Sequence, residues 1–255
     1  MPYFKTTIRA GKTIEVHKGY VKRHGVSIRG DRKKATPEEM EKVNEINARR
    51  KLRIKINANF KTGDAFVTLT YRKEERPTKE EAKERIKDLL KDLRKIYKKN
   101  GSELKYINVT EYENKSIHHH LIINDLKNGN IAKVINSLWN YGRPNYKYLD
   151  SSGQYKDLAD YLIKETSKTY KKNKEEGKGH KQRYSCSRNL VMPEPKTEVV
   201  KANKWAEEPK AIKGYYVDKD TIFNGIDPFT GRKYQRYTLI EIGKENYNPF
   251  LEDAG

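Results

Sequence analysis

Residues 117–123 read Ile-His-His-His-Leu-Ile-Ile, and half of the chain's six histidines stand in this one run. Its β-branched and apolar residues predict a strand, and a strand sends successive side chains to opposite faces. His118, His120 and Ile122 therefore share one face. Ile117, His119, Leu121 and Ile123 share the other, which reads as a core face that includes one imidazole. The first face sets two imidazoles about 6–7 Å apart at Cα by strand rise, close enough to ligate one metal ion. The bland alternative is a histidine-rich strand with imidazoles satisfied in the core or at the surface.

A carboxylate lies upstream. Leu104 to Glu111 reads as another strand, joined to the histidine strand by a turn at Glu113-Asn114-Lys115-Ser116. In such a hairpin Glu111 can face His118 or His120 across the ladder. Two imidazoles and one carboxylate leave coordination positions open, as catalytic sites require and closed structural sites do not. Glu113 is the alternative carboxylate, although a solvated turn is its more ordinary place.

Residues 155–169 carry apolar side chains at Tyr155, Leu158, Ala159, Leu162 and Ile163, the stripe of a helix laid on a core. Tyr161 falls at the polar border of that stripe, with Lys164 and Lys168 on the same side. A tyrosine reaching past a core edge beside an ammonium is a candidate nucleophile, since the positive charge would favour the phenolate. An amphipathic tyrosine at a core boundary is the structural alternative. Tyr155, on the apolar stripe, is not expected to be a second nucleophile.

Phe66-Val-Thr-Leu-Thr-Tyr71, then Glu111 with Ile117-His-His-His-Leu121, then Asp160-Tyr-Leu-Ile-Lys164 occur in that order. Together they resemble the three motifs of the HUH endonucleases, specifically the rolling-circle replication initiators of plasmids, filamentous phages and related mobile elements. Those motifs are a strand reading roughly F-x-T-L-T-Y, a His-hydrophobe-His preceded by an acidic residue, and Tyr-x-x-Lys on a helix. Conjugative relaxases usually place the tyrosine first. The resemblance runs from about Asn57 to Leu190 and takes in Leu138-Trp139 and Ser187-Arg188-Asn189-Leu190. His119 stands where the family has an aliphatic residue.

The resemblance implies a ferredoxin-like sheet with metal and tyrosine meeting over one face. It implies Mg²⁺ or Mn²⁺ held by His118, His120 and Glu111, with Tyr161 attacking single-stranded DNA to form a 5′-phosphotyrosine. Lys164 would position the phosphate or stabilise developing charge. The expected substrate is an origin sequence, in a hairpin or as a plain single strand, with a host helicase and polymerase as partners. Rivals are an HUH transposase or relaxase-like strand transferase, a nonhaem iron oxygenase sharing the triad, and a non-catalytic nucleic-acid-binding protein.

Charge agrees with a polyanionic partner. Fifty-five Lys and Arg against 35 Asp and Glu give +20. Half of that excess lies in residues 1–60, where 16 basic residues face 6 acidic ones, and residues 161–190 add nine against three. Much of the second cluster falls in an expected basic loop, Tyr170 to Arg183. The candidates for gripping DNA backbone are Lys168, Lys171, Lys172, Lys174, Lys181, Arg183 and Arg188. The 18 tyrosines offer surfaces on which unpaired bases could stack. No apolar run approaches a membrane span and no signal-peptide core is present. The single cysteine, Cys186, suits a reducing cytoplasm. Gly11-Lys12-Thr13 resembles the end of a P-loop, but the partner glycine would fall at Thr6, so no ATPase motif is present.

The expected fold class is α+β, an antiparallel ferredoxin-like sheet with helices packed on it. Expected elements are a hairpin of Tyr3–Ala10 and Thr13–Tyr20, then a helix from Thr36-Pro37 to about Asn57. A strand Asp64–Tyr71 and a helix opened by the capping box Thr78-Lys-Glu-Glu81 follow. The metal hairpin comes next, then a helix Ile131–Tyr141, a strand Asn145–Leu149, the tyrosine helix, and a last strand at Tyr234–Ile242. Three regions are expected: a basic N-terminal hairpin and helix (1–60), the nuclease domain (61–190) and a C-terminal extension (191–255).

Overall fold

Each of two antiparallel sheets builds its own unit in the computed structural model, which describes residues 2–20, 36–112, 116–127, 129–175, 183–227 and 231–243. In chain order the elements are strands β1 (Tyr3–Ala10) and β2 (Thr13–Tyr20), helix α1 (Pro37–Asn59), β3 (Ala65–Leu69), α2 (Lys79–Lys99), β4 (Tyr106–Glu111) and β5 (His118–Ile123). They continue with α3 (Ile131–Leu138), β6 (Asn145–Tyr148), α4 (Lys156–Glu175), β7 (Ser185–Cys186), β8 (Lys196–Val200), β9 (Tyr215–Ile226) and β10 (Lys233–Glu241). The α+β class is as expected. No described helix is long and apolar enough to cross a membrane.

The central unit comprises Asn47–Ser151 and Tyr155–Val191. Its sheet runs β6-β3-β5-β4-β7. The succession β3-α2-β4-β5-α3-β6 is the βαββαβ arrangement of ferredoxin-like folds, and the paired strands are antiparallel. Strand alternation divides the apolar residues between two layers. Val67, Leu69, Leu121 and Ile123 pack under α2 and α3, with Leu89, Leu93, Tyr97 and Ile135. Phe66, Ile107, Val109 and Ile122 face the other way, against Leu52 and Ile56 of α1 and Ala159, Leu162 and Ile163 of α4. Each fully buried Leu or Ile contributes roughly 1.5–3 kcal/mol, so both layers hold the sheet.

Local chemistry sets the helix ends. The Thr78 hydroxyl accepts the Glu81 N–H while the Glu81 carboxylate accepts the Thr78 N–H at 2.7 Å, a closed capping box opening α2. Thr36 and Glu39 repeat the device at α1. One expectation is corrected: residues 170–175 continue α4 rather than opening a loop. Lys, Asn and Glu there tolerate helix, and no glycine or proline interrupts before Gly177.

The second unit comprises Met1–Ile46, Ser152–Gln154 and Met192–Gly255. Its sheet order is β8-β1-β2-β10-β9, so strands from the C-terminal region bracket the N-terminal hairpin. Ile14, Val16, Tyr237 and Leu239 form its core, with Val217 and Ile222 packed against them.

Candidate active site

The β4–β5 register pairs Glu111 directly with His118 and Val109 with His120, and β3 pairs Thr68 with His120. Glu111, His118, His120, Thr68 and Phe66 thus share the sheet face that α4 covers. Both Glu111 and His120 are buried, at 5% and 3% exposed. A Glu111 carboxylate oxygen lies 3.5 Å from His120 Nε2 and 3.9 Å from His118 Nδ1. The other ring nitrogens are anchored: Thr68 Oγ1 is 3.3 Å from His120 Nδ1, and Ser116 Oγ is 3.1 Å from His118 Nε2. Such outer contacts fix ring orientation in metal sites.

Burial, then the neighbouring His118, pushes His120 down to about 4, against an opposing pull from Glu165. Burial likewise lowers His118. Both imidazoles are therefore neutral at ordinary pH, the form that ligates metal. His120 Nε2 is buried and has no hydrogen-bond partner among the described residues, which leaves a donor atom turned toward the carboxylate. Among the described residues no three His, Cys, Asp or Glu side chains already form a metal cage. The His120–Glu111 pair is close, and the longer His118 distance is the gap. In donor chemistry the set of two nitrogens and a carboxylate fits a divalent cation. Glu113 lies outside the described residues.

His119 has a different life. It is fully buried on the α2/α3 side. Its Nε2 hydrogen-bonds with the Tyr71 hydroxyl at 2.7 Å and its Nδ1 with Thr110 Oγ1 at 2.9 Å. Trp139 meets the ring edge to face. Burial lowers it to about 3, so it is a neutral core residue with both nitrogens occupied.

Tyr161 projects from α4 over the sheet face that carries His120 and Phe66. Its ring centre is 5.4 Å from that of His120, at 82°, and 6.3 Å from that of Phe66. Phe66 in turn stacks on His120. The tyrosine is 41% exposed and so open to a ligand. Its pKa is raised, by burial first and then by the charges of Glu165 and Glu111. This corrects the expectation that an ammonium favours the phenolate: Lys164 is exposed one turn away, and nearby carboxylates dominate the local field. Glu165 was missed in the sequence, although its i+4 spacing from Tyr161 puts it on the same helical face. Tyr155 is 5% exposed, donates its hydroxyl to the Asp150 carbonyl, and is pushed up to about 12 by burial.

Among the expected DNA-gripping residues, Arg183 donates to Ser167 Oγ at 3.1 Å on α4. Arg188 does not join the tyrosine. It lines a cavity with Arg94, Lys98 and Tyr106, at the opposite end of β4 from Glu111, about 17 Å away by strand rise. Lys168, Lys171, Lys172 and Lys174 belong to α4, but their side chains lie outside the described set, as does Lys181.

Residues 64–184, just under half of the chain, match the family model described as replication-associated protein ORF2/G2P. The matched stretch holds the F-x-T-L-T-Y strand, the histidine hairpin and the tyrosine helix. This is consistent with a replication initiator of the Rep type and with a role in replication. No curated protein and no solved structure matches the chain.

Proposed function

We propose that the chain is a metal-dependent HUH endonuclease that nicks and rejoins single-stranded DNA to initiate rolling-circle replication. The observation that carries this reading is the position of an exposed tyrosine ring 5.4 Å from His120, whose buried Nε2 faces the Glu111 carboxylate and has no hydrogen-bond partner among the described residues. The Tyr161 oxygen attacks a backbone phosphorus as the bond to O3′ breaks. The strand leaves a 5′-phosphotyrosine on the protein and a free 3′-hydroxyl, which takes up a proton in exchange for the phenol's. A polymerase extends that hydroxyl, and a later 3′-hydroxyl attack reverses the linkage and closes a circle. When bound, Mg²⁺ or Mn²⁺ on His118, His120 and Glu111 supplies positive charge against the phosphate and the phenolate.

The chain's residues provide the rest. Phe66 and His120 wall the tyrosine ring, limiting its rotation. Thr68 and Ser116 hold the imidazoles in place. Lys164, one turn from Tyr161, meets the phosphate from the solvent side.

Incubation with single-stranded DNA and Mn²⁺ should yield a covalent adduct that survives denaturing electrophoresis. Tyr161→Phe should abolish it while leaving fold and DNA affinity nearly intact, because one hydroxyl is lost. An adduct persisting in that variant, or mapping to Tyr155, would falsify the assignment.

A further inference from the structure

The β8-β1-β2-β10-β9 sheet carries a second group of aromatic side chains, on the face opposite its Ile14–Val16–Leu239 core. Register lines up Phe4, Gly19, Tyr234 and Gly225 across four strands, with His17, Arg236 and Phe223 in the adjoining row. The glycines let the rings lie down on the sheet. A Cβ on Gly19 would stand 2.9 Å from the Phe4 ring, and one on Gly225 would stand 2.5 Å from Phe223 and 2.9 Å from Tyr234. Phe223 and Tyr234 are 5.7 Å apart at 33°, and Phe223 is 54% exposed. The Arg236 guanidinium lies 5.2 Å over the Tyr234 ring.

Beside Tyr234 opens a cavity of about 740 Å³, within the range of about 300–1,000 Å³ common for small-ligand pockets. Trp205 and Tyr20, with ring centres 5.0 Å apart, form its other wall at the end of β2, on the core side of the sheet, since Tyr20 pairs with Tyr3 and alternates with Gly19. Lys204 and Lys233 line it, with Glu207 as the opposing charge. Flat rings interleaved with cations suit a ligand that is itself flat and anionic. Unpaired bases stack on aromatic side chains whatever their sequence, and lysines meet the intervening phosphates. An apolar protein partner would use the rings but not the cations, and duplex DNA would use the cations but not the rings.

We propose that this sheet face is a platform for single-stranded DNA, with bases stacked on Tyr234 and Phe223 and the strand rounding the sheet's end so that one base enters the cavity against Trp205, while Lys204 and Lys233 meet the phosphates. The choice of DNA rests on the nicking function proposed above, whereas the stacking surface does not depend on it. The platform lies outside the residues that match the replication-associated family model.

The test uses the full chain carrying Tyr161→Phe, so that binding is measured without the covalent step, and an oligothymidylate of roughly 30 nucleotides. Phe223→Ala with Tyr234→Ala should weaken binding by about tenfold or more while the circular-dichroism spectrum is unchanged. Lys204→Gln with Lys233→Gln should flatten the salt dependence. As a check that needs no variant on the sheet, an oligonucleotide bearing 5-iodouracil should photocrosslink to peptides containing Trp205, Phe223 or Tyr234. Affinity within twofold of the parent in the aromatic variant, crosslinks confined to residues 47–191, or tighter binding of the oligothymidylate–oligoadenylate duplex would each overturn the proposal. So would tighter binding of oligouridylate RNA. An absent Mn²⁺-dependent adduct alongside crosslinks at Trp205 would instead count against the nicking function and leave the platform standing.

Discussion

Three consecutive histidines have two fates, and the difference is testable one side chain at a time. His119 is enclosed by Tyr71, Thr110 and Trp139 with both ring nitrogens bonded. Replacing it with alanine opens a cavity and strands the buried Tyr71 hydroxyl, while the half-buried Thr110 hydroxyl keeps its contact with Asn108. His119→Ala should therefore cost about 2–4 kcal/mol in denaturant unfolding, with cleavage retained at temperatures where the variant stays folded. His118→Ala and His120→Ala should do the reverse, losing the DNA adduct with a smaller change in stability. If His119→Ala alone removed divalent-cation binding, the division between the two faces would be wrong. Strand parity made this division legible in the sequence. Glu165 was legible only in principle, since i+4 spacing from a tyrosine is common and nothing in the sequence says what the helix faces.

Elements are held by features of very different visibility. The Thr78 capping box stands out as a pattern, and Thr78→Ala should lower stability by about 1 kcal/mol in a thermal or denaturant melt. Gly142 does not stand out. A Cβ there would lie 2.2 Å from the Thr70 carbonyl oxygen and 2.9 Å from Tyr71 Cα, so backbone would have to move. The approach is tight because Arg72 N–H bonds the Tyr141 carbonyl at 2.8 Å, while the Trp139 indole N–H bonds the Thr70 carbonyl at 3.0 Å. Gly142→Ala should cost about 1–3 kcal/mol as overpacking, and an unfolding midpoint unchanged from the parent would show that the segment yields freely. Residues 170–175 of α4 show the opposite failure: a run dense in lysine reads as solvated loop by charge, yet its backbone propensity supports helix.

Over the whole chain, the +20 charge predicts single-strand affinity that falls steeply with salt, at about 0.7 counterions released per neutralised phosphate. Replacing Lys171, Lys172 and Lys174 with alanine should flatten a log–log plot of affinity against salt by up to roughly 2, with the chemical step at saturating DNA little changed. Lys164→Ala should slow single-turnover cleavage and leave the slope nearly intact. A triple variant that cleaves slowly at saturation with its slope unaltered would move those lysines into the active site.

The βαββαβ order, the two-faced histidine strand, the capped helices and the placement of Tyr161 beside a core stripe follow from periodicity and local hydrogen bonding, which act over a few residues and so are written in the sequence. The pairing of β8 and β10 around the N-terminal hairpin was not written there. Nor were the alignment of Phe4, Tyr234 and Phe223 over two glycines, the separation of Arg188 from the tyrosine, or the raised pKa of Tyr161. Each depends on residues far apart in the chain arriving at one place, and burial and charge at that place exist only once the sheets have formed.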